Sequence, residues 1–223
     1  MAPKMITGHW TGGSYTPSSV DKKAYHRIID GNGKVVLGIH SIADNESTND
    51  GKYAAHTYNN NTHNIGVAIA AMGGKEVKQS PLVVGKYPIK PIQWNTFIRE
   101  IASLCKEYNI PVTPKTVMTH AEVETNLGIK QKNKWDITLL PGDENSRKKT
   151  RTAKEVGDIM RKEVQFYIDK NYSKPVVVTV PPTPKPISPR PVTPKPVTPK
   201  PSPEPIQQTN PFIQWIKNIL GIK

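Results

Sequence analysis

Two histidines and one aspartate, His9, His120 and Asp136, are the residues of this sequence with the clearest capacity for chemistry. Two imidazoles and one carboxylate supply three protein ligands for a tetrahedral zinc ion and leave the fourth position for water. An open position of this kind distinguishes a hydrolytic zinc site from a closed structural one. The sequence therefore predicts a catalytic metal site, provided that the fold brings these three distant positions together.

Three segments have the patterns of the strands that such a site requires. Tyr25–Val36 carries an Asp-Gly-Asn-Gly turn signal between two apolar runs and predicts a β-hairpin. Asn64–Met72 is almost continuously apolar, which is typical of a central strand that is buried on both faces. Lys115–Thr119 predicts a short strand that ends directly before His120.

Two segments show helical periodicity. Asn95–Asn109 has apolar residues at helical spacing, and this places the single cysteine, Cys105, on a buried helix face rather than in a metal site. A second helix is predicted over Thr152–Tyr172, and residues 121–148 are predicted to form a long loop, a length that is usually functional in a compact domain. Strands interspersed with helices predict an α/β domain, a mixed central β-sheet flanked by helices, over residues 1–172.

The last 51 residues have a different composition. Residues 173–223 contain 14 of the 22 prolines, seven Lys or Arg and one acidic residue. Residues 173–210, with a five-residue Pro-rich repeat, predict a disordered linker of polyproline II character. Residues 211–223 predict a short cationic amphipathic helix that contacts an anionic membrane or docks onto a partner, the alternative being a frayed terminus.

The net charge of +13 favours polyanionic partners such as nucleic acid, anionic lipid or the acidic polymers of a bacterial envelope. The sequence has no arginine-rich helix and no basic stripe with interleaved aromatic residues, so we do not expect nucleic acid among the partners. It has no secretory signal pattern, and we expect synthesis in the cytoplasm without such a signal. Coiled-coil heptads are also absent, and we expect a monomer.

Several motifs, in a fixed order along the chain, resemble one family. These motifs are Tyr25-His26-Arg27-Ile28-Ile29-Asp30-Gly31-Asn32-Gly33, Ala55-His56-Thr57 with Asn61 and Ile65-Gly66-Val67, His120-Ala121-Glu122, and Lys134-Trp135-Asp136. Together they resemble the zinc-dependent N-acetylmuramoyl-L-alanine amidases, which include phage lysozyme amidases, bacterial anhydromuropeptide amidases and peptidoglycan recognition proteins. The resemblance covers about residues 5–170.

The resemblance implies a zinc cofactor held by His9, His120 and Asp136, in a family where some members have cysteine as the third ligand. It also implies that Tyr25 and Lys134 are catalytic, stabilising the negative oxygen that develops during the reaction or orienting the water. The stretch 121–135 departs from the shorter spacing of some members.

Three further residues are candidates for the site. The resemblance implies that His56 and Asn61 line the substrate groove. Glu122, two residues after His120, is a weaker candidate for a general acid or base. Its alternative role is that of a supporting or exposed carboxylate.

The activity implied by the resemblance is hydrolysis of the amide bond between the lactyl group of N-acetylmuramic acid and L-alanine in peptidoglycan. The basic charge, the predicted tail and the missing signal pattern favour a phage or prophage endolysin that reaches the cell wall through a holin-type pore. Two alternatives stay open: a cytoplasmic amidase that recycles anhydromuropeptides, and a peptidoglycan-binding module without catalysis. A secreted antibacterial effector would have a similar sequence.

Overall fold

A mixed five-stranded β-sheet lies at the centre of the fold. The computed structural model describes residues 2–171, so the linker predicted for residues 173–210 and the amphipathic helix predicted for residues 211–223 lie outside the described residues. The sheet consists of β1 (Met5–Trp10), β2 (Arg27–Ile29), β3 (Val35–Leu37), β4 (Asn64–Ile69) and β7 (Val117–Thr119), in the order β3-β2-β4-β1-β7. A separate two-stranded ribbon pairs β5 (Lys78–Gln79) with β6 (Leu82–Val83).

The strand pairing makes the sheet mixed, as predicted. β1 runs parallel to both β4 and β7, β2 runs parallel to β4, and only β3 pairs in antiparallel fashion, with β2. The β2–β3 pair is the predicted hairpin. All six residues of β4 are buried, which explains the continuous apolar run, because helices and loops cover both faces of a parallel strand.

Two long helices, α2 (Pro91–Tyr108) and α5 (Ala153–Asp169), pack against each other and against the sheet. The helix predicted over Asn95–Asn109 begins earlier, at Pro91, because proline fits the first turn of a helix, where its missing N–H is not needed. Helix α2 lies close to β1 because Gly8 has no side chain: an added Cβ there would lie 2.6 Å from the ring of Phe97 on α2.

The interface between α2 and α5 contains a buried polar contact. Trp94 Nε1 donates a hydrogen bond of 2.7 Å to Glu163 Oε2. Burial raises the pKa of Glu163 to about 7, although this hydrogen bond opposes the rise. The thiol of Cys105 is buried on α2, as predicted, and burial raises its pKa to about 12.

The prediction of one long loop over residues 121–148 is wrong in part. A 3-10 turn at His120–Glu122 leads into α3 (Val123–Leu127), and α4 (Asp143–Ser146) follows later. Helices of four or five residues are too short to leave a periodic pattern in the sequence. Another short helix, α1 (Ser19–Ala24), precedes the hairpin. Within residues 2–171, no helix is long and apolar enough to cross a membrane.

Candidate metal centre

The sheet positions two of the three predicted ligands. His9 lies near the carboxyl end of β1, and His120 follows β7 directly. Because β1 and β7 are parallel neighbours, their carboxyl ends meet at the same edge of the sheet, where sites in such sheets usually form. Asp136 comes from the loop after α3, and its carbonyl accepts a hydrogen bond of 2.6 Å from the backbone N–H of Ala121.

The structure brings His9, His120 and Asp136 together into a buried cluster, which we call the candidate metal centre. Oδ2 of Asp136 lies 3.0 Å from Nδ1 of His9 and 3.2 Å from Nδ1 of His120. One ligand atom from each residue lies within 4.8 Å of the others. Tetrahedral zinc with bonds of about 2.0–2.1 Å separates its ligand atoms by about 3.3 Å, so the donor set and its spacing fit this ion.

The protonation states of the cluster also suit a metal ion. Burial lowers the pKa of His9 to about 4, although contact with Asp136 opposes the shift. Burial opposes ionisation of Asp136, but the contacts with His120 and His9 outweigh it and lower the pKa of this carboxyl to about 2. Near neutral pH the cluster therefore holds a neutral His9 imidazole and a carboxylate, the forms that bind metals.

Tyr25 and Lys134, the two predicted catalytic residues, both lie near the candidate metal centre. The Tyr25 ring centroid is 5.1 Å from that of His9. Burial, with the nearby charges of Asp136 and Asp21, raises the pKa of the phenol, so Tyr25 keeps its proton at neutral pH. The exposed ammonium of Lys134 is close enough to lower the pKa of His9.

His56 lies beside the centre, and Asn61 contacts the backbone next to it, both in the loop before β4. His56 is only 7% exposed, and its ring packs edge-on against His9, with ring centroids 5.2 Å apart. The ring fits there because Gly66 has no side chain, and an added Cβ would lie 2.6 Å from it. Burial lowers the pKa of His56 well below its usual value. Asn61 Oδ1 accepts hydrogen bonds from the backbone N–H groups of His56 and Thr57. The substrate-binding role of both residues stays a prediction.

Glu122 faces the helix α5 and not open solvent. Its carboxylate is buried and forms a bidentate ion pair with Arg161, with N···O distances of 2.9 and 3.1 Å. It also accepts a hydrogen bond of 3.0 Å from the backbone N–H of Thr119. The carboxylate packs on Gly157, where an added Cβ would lie 2.0 Å from it. This geometry favours the alternative of a supporting carboxylate, which fixes the turn that carries His120.

Gln131 is a residue of the site that the sequence analysis missed. Its side chain is buried, and its Oε1 lies 2.9 Å from Nε2 of His120. In the sequence it is an isolated amide between Lys130 and Lys132, in a stretch predicted as loop. Neither its type nor its spacing from the ligands marks it, since its contact with His120 depends on the path of the loop.

Comparison with known proteins decides the family. A family model described as N-acetylmuramoyl-L-alanine amidase matches residues 1–143, a span that contains all three residues of the candidate metal centre. The chain belongs to this family. The resemblance seen in the sequence motifs is therefore confirmed at the level of the family. A separate comparison with curated proteins found no match to this amidase-family chain.

A solved structure of the N-acetylmuramyl-L-alanine amidase AmiD from E. coli, in complex with the substrate anhydro-N-acetylmuramic acid-L-Ala-D-gamma-Glu-L-Lys, is also similar. The identity is 19% and the TM-score is 0.38. The similar region covers 53% of this chain and 48% of that chain, so it spans about half the length of that amidase.

Proposed function

We propose that this protein is a zinc-dependent amidase that hydrolyses the bond between the lactyl group of N-acetylmuramic acid and L-alanine in peptidoglycan. The observation that carries the proposal is the convergence of His9 Nδ1 and His120 Nδ1 on one carboxylate oxygen of Asp136, in a chain of this family. Zinc held by these residues would supply an activated water near neutral pH and a Lewis acid for the scissile carbonyl.

Side chains around the centre would stabilise the developing negative charge and supply a proton to the leaving amine. Negative charge develops on the carbonyl oxygen during attack, and groups that can donate hydrogen bonds to it lower the barrier. Tyr25, which keeps its proton because its pKa is raised, is one such donor, and the ammonium of Lys134 is the other. The leaving amine of L-alanine needs a proton, and these are the two proton-bearing side chains predicted to act at the centre.

For the biological setting we propose degradation of the bacterial cell wall by a lytic enzyme of phage or prophage origin. The net charge of +13 suits an anionic wall. The Pro-rich sequence of residues 173–210 and the cationic sequence of residues 211–223 suit an enzyme whose second region engages a membrane or a partner. A recycling amidase that acts on soluble anhydromuropeptides has no evident use for them.

Digestion of purified peptidoglycan sacculi by the full chain tests the proposal, with mass spectrometry of the released products. We expect free stem peptides that begin with L-alanine, no release in EDTA, and recovery on addition of zinc. Glycan fragments with attached peptides would instead show that another bond is cut. Binding to sacculi without release would favour the non-catalytic module, and cleavage of soluble anhydromuropeptides alone would favour the recycling enzyme.

A further inference from the structure

Both candidate histidine ligands offer the same ring atom to the centre. His9 and His120 each direct Nδ1 to Asp136, so the Nε2 atom of each ring faces the protein. A neutral imidazole carries one proton, either on Nδ1 or on Nε2, and only the nitrogen without it can bind a metal ion. The contacts of the two Nε2 atoms therefore decide whether the rings present lone pairs to the centre.

The contacts of Gln131 determine the tautomer of His120. The Nε2 amide group of Gln131 lies 3.0 Å from the carbonyl of Tyr58 and 3.2 Å from that of Ile129. Since carbonyl oxygens only accept hydrogen bonds, this end of the amide must be the NH2 group. The other end, Oε1, must then accept a hydrogen bond from Nε2–H of His120, at 2.9 Å. The proton stays on Nε2, and Nδ1 keeps its lone pair.

His56 determines the tautomer of His9 in the same way. Nε2 of His56 lies 3.1 Å from the backbone carbonyl of Asn64 and must donate to it. Nδ1 of the neutral His56 ring is therefore an acceptor, and it lies 3.2 Å from Nε2 of His9 and 2.8 Å from the hydroxyl of Thr57. That nitrogen has a single lone pair, which the Nε2–H of His9 shares with the Thr57 hydroxyl, and the hydroxyl oxygen is a second acceptor for His9 at 3.5 Å. The proton of His9 accordingly resides on Nε2, and its Nδ1 also keeps a lone pair.

We propose that Gln131 and His56 are positioning residues that hold His120 and His9 in the tautomer able to bind the metal through Nδ1. The inference rests on the proposed function, because it assigns these residues a role toward the zinc ion. With both Nε2 atoms protonated, two nitrogen lone pairs converge on an ionised carboxylate oxygen. A cation between these three atoms stabilises the arrangement.

The path of the loop that carries Gln131 supports this role. The backbone N–H of Gln131 donates to the Glu124 carboxylate on α3, at 3.1 Å, and its carbonyl accepts from the N–H of Lys134. The next two residues, Lys132 and Asn133, both have left-handed backbone conformations, with φ of 52° and 58°. Such conformations in residues other than glycine persist where surrounding contacts enforce them, and they cluster at functional sites.

Measured zinc affinities of substituted full-length proteins test the proposal, using competition with a chromophoric chelator. Gln131→Met keeps the side-chain length but removes the acceptor for His120, and we expect a 10- to 100-fold weaker affinity, the usual effect of losing such a partner. His56→Leu should weaken binding over the same range, whereas His56→Gln should restore much of it, because an amide also offers one donor and one acceptor. The visible spectrum of the cobalt-substituted protein should shift in Gln131→Met and His56→Leu, since the rings reorient.

Gln93 supplies a matched control. Its buried amide also donates to two carbonyls, those of Ile29 and Ala70, at 3.3 and 2.9 Å, but it lies on α2 and outside the centre. Gln93→Met should lower the thermal stability of the metal-free protein while leaving the zinc affinity within about twofold, given that the two sites are independent.

Three outcomes would overturn the proposal. Wild-type zinc affinity in both Gln131→Met and His56→Leu would show that the partners do not set the tautomers. An equal loss in Gln93→Met would show that the affinity follows the general stability of the fold. A wild-type protein that binds no zinc would refute the proposed function itself, and the positioning roles with it.

Discussion

The two sides of the candidate metal centre are built differently. His9 and His120 lie at the ends of parallel strands in a sheet whose register is set by buried apolar residues. Asp136, Lys134 and Gln131 lie in residues 128–136, which we call the ligand loop. Its backbone has polar contacts and three left-handed residues, Gly128, Lys132 and Asn133. The sheet side is therefore set by the fold, whereas the ligand loop depends on its own contacts and, in the proposed function, on the zinc ion.

The largest effect should come from removing the ligand that the ligand loop contributes. Asp136→Ala leaves His9 and His120 in place but removes the one charged candidate ligand. We expect loss of most bound zinc, since two neutral ligands bind zinc weakly, and a loss of turnover on the order of 1,000-fold, since the metal contributes several kcal/mol to catalysis. Metal content and the rate of peptide release from sacculi measure both effects.

Asp143→Ala is the control for Asp136→Ala. Asp143 is also buried and charged, but its partner is Arg151, at 2.8 Å. This variant should be less stable and yet bind zinc as the wild type does. If Asp136→Ala kept its zinc, the ligand loop would not supply the third ligand.

On the sheet side, the ion pair between Glu122 and Arg161 holds the turn after β7. Glu122→Gln leaves the buried Arg161 without its main partner and should lower the free energy of unfolding by about 3 kcal/mol, as for other broken buried pairs. Urea unfolding measures this loss. A variant of unchanged stability with a large loss of turnover would instead make Glu122 the general acid or base.

When the pH falls, protonation of buried histidines should destabilise the metal-free protein before protonation of carboxylates does. Burial lowers the pKa of His26 to about 4 in the folded protein, against about 6.5 in the unfolded chain. Below pH 6.5 the unfolded chain binds more protons, so the free energy of unfolding should fall by up to about 3 kcal/mol between pH 6.5 and 4. The carboxyl of Asp158, whose pKa is lowered by its hydrogen bonds with Lys154 and Arg161, contributes stability that is lost only below about pH 4.

Urea unfolding in EDTA across this pH range tests the order of the two losses. His26→Asn should flatten the slope between pH 6.5 and 4, because it removes one group that must bind a proton on unfolding. Stability that stays level down to pH 4 and then falls would show that the carboxylates, and not the buried histidines, dominate the response to acid.

The smallest of these effects should come from Tyr25, which contacts the centre without binding the metal. Tyr25→Phe should keep the wild-type zinc content and fold while lowering the turnover about 10- to 100-fold. This is less than the usual loss for an oxyanion donor, because zinc and Lys134 would still stabilise the developing charge. Single-turnover rates on sacculi measure the effect. An unchanged rate would remove Tyr25 from the catalytic residues.

Much of the sheet could be predicted from the sequence because its signals are local. The apolar run at Asn64–Met72 marked the central strand, and the short run before His120 marked the strand that presents this residue. The apolar periodicity predicts the start of α2 four residues too late, and it does not predict α3 and α4. Proline favours the first helical position, so Pro91 is itself a local signal for the start of α2. Helices of one turn leave weak signals, because tertiary contacts decide them.

The three candidate ligands could be named from the sequence because their types suit zinc and their order matches a family. Their supporting residues could not be named in this way. Gln131 reaches His120 only through the path of the ligand loop, and Arg161 reaches Glu122 from a helix 39 positions away. Buried amides and ion pairs of this kind have no spacing rule, since their partners are set by the packing of whole elements.

Anomalous diffraction at the zinc absorption edge, from crystals grown with the metal, would show directly whether His9, His120 and Asp136 bind zinc. We expect one strong peak about 2.0–2.2 Å from Nδ1 of His9, Nδ1 of His120 and a carboxylate oxygen of Asp136, with the fourth position open to solvent. A peak bound through Nε2 of either ring, a peak elsewhere in the molecule, or no peak at all would contradict it.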